Sequence, residues 1–106
     1  MDVERIKFER TGGFANMRLA ADFDVHDLPE EQADMLKELL DDLNFAELPA
    51  KLKGDTAMPD EFTYTITVEA GKWQHTVITG DSPDDKKMQE LLDLLNRLAR
   101  KRLKKN

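Results

Sequence analysis

The residues with the most evident chemical potential are two aspartates and a histidine near the end of the first quarter of the chain. Asp22, Asp24 and His26 alternate with apolar residues, so a β-strand would carry all three on one face. Carboxylate and imidazole groups are common metal ligands. However, same-face positions along a strand are about 6.5–7 Å apart, which is wide for two short carboxylates that share one ion. We therefore interpret them as a solvated acidic face and expect no metal site.

The other residues capable of catalysis lack partners at a useful spacing. His26 and His75 are far apart in the sequence, so a catalytic dyad would need chance proximity, and we interpret both as surface or rim histidines. Ser82 precedes a proline and two aspartates, which is typical of a helix N-cap, and no base lies near it to activate it. The Gly12-Gly13 pair lacks the context of a phosphate loop and indicates a tight hairpin turn. These patterns predict a protein that is not an enzyme and needs no cofactor.

The composition indicates one domain. The chain has 106 residues, 36% of them charged, with a formal net charge of −6 and no cysteine. It has no apolar run near the roughly 20 residues that span a bilayer, and its start lacks the apolar core of a signal peptide. We expect a single domain over residues 1–106 that is monomeric when free and has no membrane partner. The expected location is the cytoplasm, with export that needs no signal peptide as the alternative.

Charge is distributed unevenly along the chain. Residues 97–106 hold six cations and no acid, whereas residues 1–96 hold 10 cations and 22 acids. The negative balance argues against nucleic acid as a partner. A cationic helix end complements the helix dipole, so we interpret residues 97–106 as the basic end of a helix in the same domain. Contact with an acidic partner is the alternative.

Hydrophobic periodicity predicts a hairpin followed by a helix, twice over. The four expected strands alternate apolar and polar residues and cover about residues 5–10, 16–25, 62–69 and 72–79. The first helix covers about residues 29–43, and the second begins near Ser82. Strands with one wet face belong to antiparallel sheets. The expected fold is therefore α+β in the order ββαββα, with a four-stranded, mainly antiparallel sheet and two helices packed on one face. Residues 49–61 are expected to form a surface loop.

The segment Asp27-Leu28-Pro29, which we call the corner, joins the second strand to the first helix. Asp27 followed by Glu30 resembles a capping box, with Asp27 as the N-cap. A residue before proline is pushed towards an extended conformation, so Leu28 is expected to be extended. Its side chain either folds back onto its own helix or projects as an apolar knob between two rigid elements.

Topology brings other residues near the corner. The first strand runs from the N-terminus to the glycine turn and the second strand returns, so Met1, Asp2 and Val3 should lie at the same end of the sheet as the corner. The Gly12-Gly13 turn should lie at the opposite end. Phe14, next to that turn, is either a contact residue or a cover for the end of the core.

Five blocks of the sequence, taken together, resemble the emfourin family of protein inhibitors of protealysin. They are FERTGGFA at 8–15, DLPEE at 27–31, FAELP at 45–49, FTYTITVE at 62–69 and HTV at 75–77. The resemblance covers nearly the whole chain in the same order. The helices, the loop at 51–59 and the basic tail lie outside these blocks.

The resemblance implies reversible inhibition of thermolysin-like zinc metalloproteases of the protealysin kind, which would be the partner. Those enzymes hold zinc in an HExxH motif, which this chain lacks. They favour a bulky apolar residue just after the scissile bond, and an extended Leu28 would suit that pocket. The predicted target-binding residues are Leu28, Pro29, Asp27, Met1, Asp2 and Val3. The secondary candidates are His26, Gly12, Gly13 and Phe14.

The competing hypothesis is an interaction or adaptor domain unrelated to proteases. It would use the face of the sheet that carries Trp73 and His75, or the basic tail. Trp73 and Tyr64 are also the residue types that stack on nucleic-acid bases, but no basic groove accompanies them, so we favour packing for both.

Overall fold

The computed structural model describes residues 3–12, 18–52, 62–80 and 86–104. Its strands and helices are β1 (Arg5–Gly12), β2 (Leu19–Asp24), α1 (Glu30–Asp42), β3 (Lys51–Leu52), β4 (Phe62–Ala70), β5 (Trp73–Gly80) and α2 (Lys86–Lys104). Two single 3₁₀ turns, Val25–Asp27 and Phe45–Glu47, flank α1. The first half of the molecule therefore has the order ββα and the second half repeats it, as the periodicity predicted.

The sheet has the strand order β2-β1-β4-β5-β3. The first four of these strands pair antiparallel with their neighbours, which confirms the predicted four-stranded antiparallel sheet. The short strand β3 pairs parallel with β5, in a segment that was expected to be loop. Ile78 N donates to Ala50 O at 2.8 Å, so the chain that leaves α1 is drawn to the edge of β5. The rest of the expected loop, residues 53–61, lies outside the described residues.

Alternation along the strands produces the buried face of the sheet. On β1, Ile6 and Phe8 are buried. Ile6 faces Phe23 on β2 and Val68 on β4, and Phe8 faces Ile66. Because these partners are buried too, the apolar side chains of three adjacent strands form one continuous layer. On the other face, residues of β1 and β2 are exposed or only partly buried, so the helices share the apolar face.

Both helices cover this layer with leucine-rich stripes. The buried residues of α1 are Ala33, Leu36, Leu39 and Leu40, and those of α2 are Met88, Leu91, Leu92, Leu94, Leu95, Leu98 and Ala99. They join the sheet residues in a single core cluster, so the described residues form one hydrophobic core. Asn44, in the left-handed conformation at φ 51°, ends α1 and turns the chain into the second 3₁₀ turn. No helix of the described ranges is long and apolar enough to cross a membrane.

One cation interrupts the apolar face of β1 and fastens α2 to the sheet. The half-buried Arg10 donates from Nη1 to Asn96 Oδ1 at 3.0 Å. Its guanidinium carbon also lies 4.6 Å from the ring centroid of Phe62, within the range of a cation–π contact. The Nε of Arg10 is buried without a hydrogen-bond partner. The contact therefore orients α2 more than it stabilises the fold.

Truncation of Leu36 tests the packing between α1 and the sheet. Leu36 is fully buried, so Leu36→Ala should lower the free energy of unfolding by about 2–5 kcal/mol through lost burial and a cavity. Urea denaturation measures this change. Asp34→Ala, at an exposed position of the same helix, should change it by less than about 0.5 kcal/mol. Equal effects of the two substitutions would contradict the described packing of α1.

Candidate functional site

The corner has an extended backbone, as the Leu28-Pro29 pair predicted. Leu28 has φ −82° and ψ 151°, and Pro29 has φ −52° and ψ 142°. The 3₁₀ turn Val25–Asp27 precedes the corner, and Leu28 N donates to Val25 O at 3.3 Å. On the other side, Ala33 N donates to Pro29 O at 3.0 Å and starts α1. The extended segment is therefore only two residues long and is held between two hydrogen-bonded turns.

The predicted capping box at Asp27 is wrong. The N-cap position of α1 is Pro29, which makes no side-chain capping bond, and Asp27 belongs to the preceding 3₁₀ turn. The reason is steric: Pro29 excludes the helical conformation at Leu28, so the helix cannot begin before the proline. Glu30 is then the first residue of α1 instead of its third, and it cannot reach back to the backbone of Asp27.

Asp24 has the capping role instead. Its Oδ1 accepts a hydrogen bond from His26 N at 3.0 Å and so caps the 3₁₀ turn. His26 and Asp22 are exposed. Within the described part of the chain, no group of three or more histidine and acidic side chains is placed to hold a metal ion. Of Asp22, Asp24 and His26, Asp24 thus has a structural role: it fixes the turn that leads into the corner.

Val3 and Glu4, the first residues that the structure describes, lie at the same end of the sheet as the corner, which is where the topology predicted Val3. Glu4 O accepts from Val25 N at 3.0 Å, and Glu4 N donates to Glu69 O at 2.8 Å. Val3 is buried, with 3% of its surface exposed. These bonds connect the chain just before β1 with the turn before the corner and with the end of β4. Met1 and Asp2, which were also predicted to bind the target, lie outside the described residues.

The burial of Leu28 is intermediate between the two alternatives that the sequence left open, a side chain folded onto its own helix and an exposed apolar knob. Its side chain packs against the core but is only partly buried. Pro29 and Asp27 beside it are exposed, as are Glu30 and Glu31 at the start of α1. The corner therefore presents a proline ring and part of a leucine side chain, next to three carboxylates, and the core supports the leucine from behind.

Gly12, one of the secondary candidates, lies at the other end of the sheet. Gly12 pairs with Phe62, seven positions along β1 from Arg5. Gly12 has φ 97°, a conformation that glycine adopts without strain, so the backbone conformation explains why glycine occupies this position. Gly13 and Phe14 lie outside the described residues. Gly12 is therefore not part of the same surface as the corner.

His75 has a structural role that sequence reasoning missed. Its Nε2 lies 2.7 Å from Leu48 O, and because a carbonyl only accepts, Nε2 must be the donor. The ring also meets Phe45 edge-on, with centroids 5.7 Å apart. Thus His75 fastens the second 3₁₀ turn to β5. Trp73 and His75 lie on the same face of the sheet as buried Val68 and Val77, and Trp73 is exposed at its end. Tyr64 is buried, so the two aromatic residues do not form a joint stacking platform.

A groove lies between the two helices. It has a volume of about 250 Å³ and lies between Met35 and Leu39 of α1 and the first half of α2. Lys87 Nζ at its rim is 3.5 Å from an oxygen of Asp42 and 3.9 Å from one of Glu90. Lys87, one of the two cations that line the groove with Arg97, is thus already paired with carboxylates.

The geometry defines a class: a small α+β domain that presents a stiff corner between a strand and a helix. The comparison with known families then places it. The Emfourin family model matches residues 8–98, and the chain belongs to the Emfourin family. Membership implies a protease-inhibitor function and a protease as partner, since this is an inhibitor family. No curated protein matches the chain, and no solved structure does.

Paired aspartate substitutions test how the corner is fixed. Asp24→Ala should lower the free energy of unfolding by about 1 kcal/mol, because it removes the bond to His26 N. Asp27→Ala should change it by less than about 0.5 kcal/mol, since Asp27 caps nothing in α1. Urea denaturation measures both, and Asp24→Asn, which keeps an acceptor oxygen, is the control. A larger loss at Asp27 than at Asp24 would contradict the described cap.

Proposed function

We propose that this protein is a reversible inhibitor of thermolysin-like zinc metalloproteases of the protealysin kind. It occludes the active-site cleft with the corner and with the N-terminal segment, in which Val3 is buried and would give support instead of contact. Family membership supports the inhibitor function, and the extended backbone of Leu28 and Pro29 is the observation that carries the mechanism. An extended segment is the form in which many peptides are recognised by proteins, so the corner imitates a short piece of substrate.

Rigidity is the first argument for this mechanism. The corner follows a turn capped by Asp24, and the turn itself is bonded to Glu4 through Val25 N. It then enters α1 through the bond between Ala33 N and Pro29 O. Since little conformational freedom is left to lose, binding of the corner costs less entropy than binding of a free peptide of the same sequence.

The half-buried state of Leu28 is the second argument. One side of its side chain packs on the core, which holds the side chain in place, and the other side is open to a partner. We place Leu28 in the apolar pocket that accepts the residue after the scissile bond. The bond in the position of the scissile bond is then Asp27–Leu28. Its amide nitrogen is the one bonded to Val25 O, so the two sides of that bond are held together. The proposal assigns no zinc ligand to Asp27 or His26.

Titration against a protealysin-like protease tests this function directly. Increasing amounts of the protein are added to a fixed amount of enzyme, and cleavage of a short peptide is followed. We expect activity to fall in proportion to the added protein, with the added chain still uncut by mass spectrometry. Full residual activity at a molar excess, or rapid cleavage at Asp27–Leu28, would contradict the proposal.

The variant Leu28→Ala tests the corner itself. It should weaken inhibition by about 2 kcal/mol or more, equivalent to about 30-fold in the inhibition constant, as truncation of a central anchor does. Leu28→Met, which keeps most of the apolar volume, should lose much less.

Two controls separate binding from folding in this experiment. Thr63→Ala changes an exposed residue that faces Gly80 and Thr11 at the opposite end of the sheet, and it should leave inhibition unchanged. Urea denaturation of Leu28→Ala shows whether the variant is still folded under the assay conditions. Unchanged inhibition by folded Leu28→Ala would remove Leu28 from the mechanism.

A further inference from the structure

The end of the sheet that carries the corner also carries the β4–β5 hairpin. Arg5 faces Asp24 on one side and Glu69 on the other, and Glu69 faces Gln74. These four residues form one row across β2, β1, β4 and β5. The next row outward contains Ala70 paired with Trp73, and Val25 bonded to Glu4. Trp73 therefore lies in the same row as Val25, which begins the 3₁₀ turn before the corner.

Trp73 is an unusual residue to leave accessible. Within the described ranges, Met35 and Trp73 are the exposed large hydrophobic residues, with 48% and 36% of their surfaces accessible. Tryptophan is enriched among the residues that dominate protein–protein binding energy. The exposure of Met35 is explained by its place in the lining of the groove between the helices. Trp73 does not line that groove; it lies at the β4–β5 hairpin beside the ring of His75.

The indole ring is held in position before any partner arrives. Its centroid lies 6.0 Å from that of the His75 ring, tilted by 32°. His75 is itself fixed by its bond to Leu48 O. The backbone is equally constrained, because Ala70 and Trp73 enclose a two-residue turn in which Gly71 has φ 62°. Trp73 is thus a rigid aromatic anchor, a type of residue that loses little entropy on binding.

We propose that Trp73 is a second contact with the target protease, on the same surface as the corner. This inference rests on the proposed inhibitor function. The strand order puts three strand spacings between β2 and β5, or about 14 Å. A specific interface occupies about 800 Å² on each partner, roughly 28 Å across, so one interface can include both. The corner supplies only three residues, and an interface of that size needs more.

Inhibition constants of four variants test the second contact, with the protease of the titration as the target. Trp73→Ala should raise the inhibition constant at least about tenfold, and Trp73→Phe, which keeps an aromatic ring, should raise it less. Met35→Ala is the matched control, because it removes an exposed apolar side chain from the groove between the helices. It should stay within about twofold of the unchanged protein. Leu28→Ala is measured in the same series.

The outcomes separate this inference from the proposed function. If Leu28→Ala weakens inhibition while Trp73→Ala stays within about twofold, the second contact is overturned and the inhibitor function stands. If Met35→Ala and Trp73→Ala weaken inhibition equally, the effect is not particular to the hairpin and the inference is also overturned. If the unchanged protein fails to inhibit, both proposals fail together.

A spectroscopic measurement keeps the test independent of substitution. Trp73 is the only tryptophan of the chain, so labelling with 5-fluorotryptophan gives a single ¹⁹F resonance from this site. On addition of an equimolar amount of protease, we expect the resonance to shift and to become less sensitive to a soluble paramagnetic agent. Stoichiometric inhibition by the labelled protein, with an unchanged shift and unchanged sensitivity, would overturn the contact even if Trp73→Ala failed to fold.

Discussion

The restriction that Pro29 imposes on Leu28 is the constraint on which the arrangement of the first half of the molecule depends. Because the residue before a proline avoids the helical region, the chain cannot pass directly from β2 into α1. It makes a 3₁₀ turn at Val25–Asp27, extends through two residues and only then becomes helical. Because of this break, the chain leaves the end of the sheet before α1 begins. α1 then lies in the helical layer, where its leucine stripe packs on the apolar face of the sheet.

The sheet converts this local break into a defined surface. Glu4 bonds to Val25 on one side and to Glu69 on the other, so the corner is attached to β4 through β1 and not through flexible side chains. Two further contacts connect the helical layer to the sheet: His75 of β5 holds the 3₁₀ turn after α1, and Arg10 of β1 bonds to Asn96 of α2. Salt bridges add little here, because the pairs at Lys7, Arg18 and Lys87 are largely exposed.

Hydrophobic alternation predicted the fold because each strand of the antiparallel sheet has one buried face. It could not predict β3, since two residues show no period and the pairing depends on Ala50 reaching Ile78. The cap at Asp27 was predicted incorrectly because the rule for capping boxes and the rule for residues before proline disagree, and sterics prevailed. In the candidate site, too, local features were predictable and features that depend on distant contacts were not. The extended state of Leu28 is a local property and was predictable, whereas the half-burial of its side chain depends on residues distant in sequence.

Under the proposed mechanism, the stiffness of the corner would take the place of the reactive groups that an enzyme needs. A segment that imitates a substrate binds tightly only when its conformation is fixed in advance, and it escapes cleavage only when its two ends cannot separate. Both conditions are met by hydrogen bonds and packing instead of reactive groups. In this fold Val25, Glu4 and the end of β4 share consecutive backbone bonds, so the spacing between Leu28 and Trp73 is determined by the sheet. Only three residues form the corner, and the sheet is needed to keep them at a constant distance from Trp73.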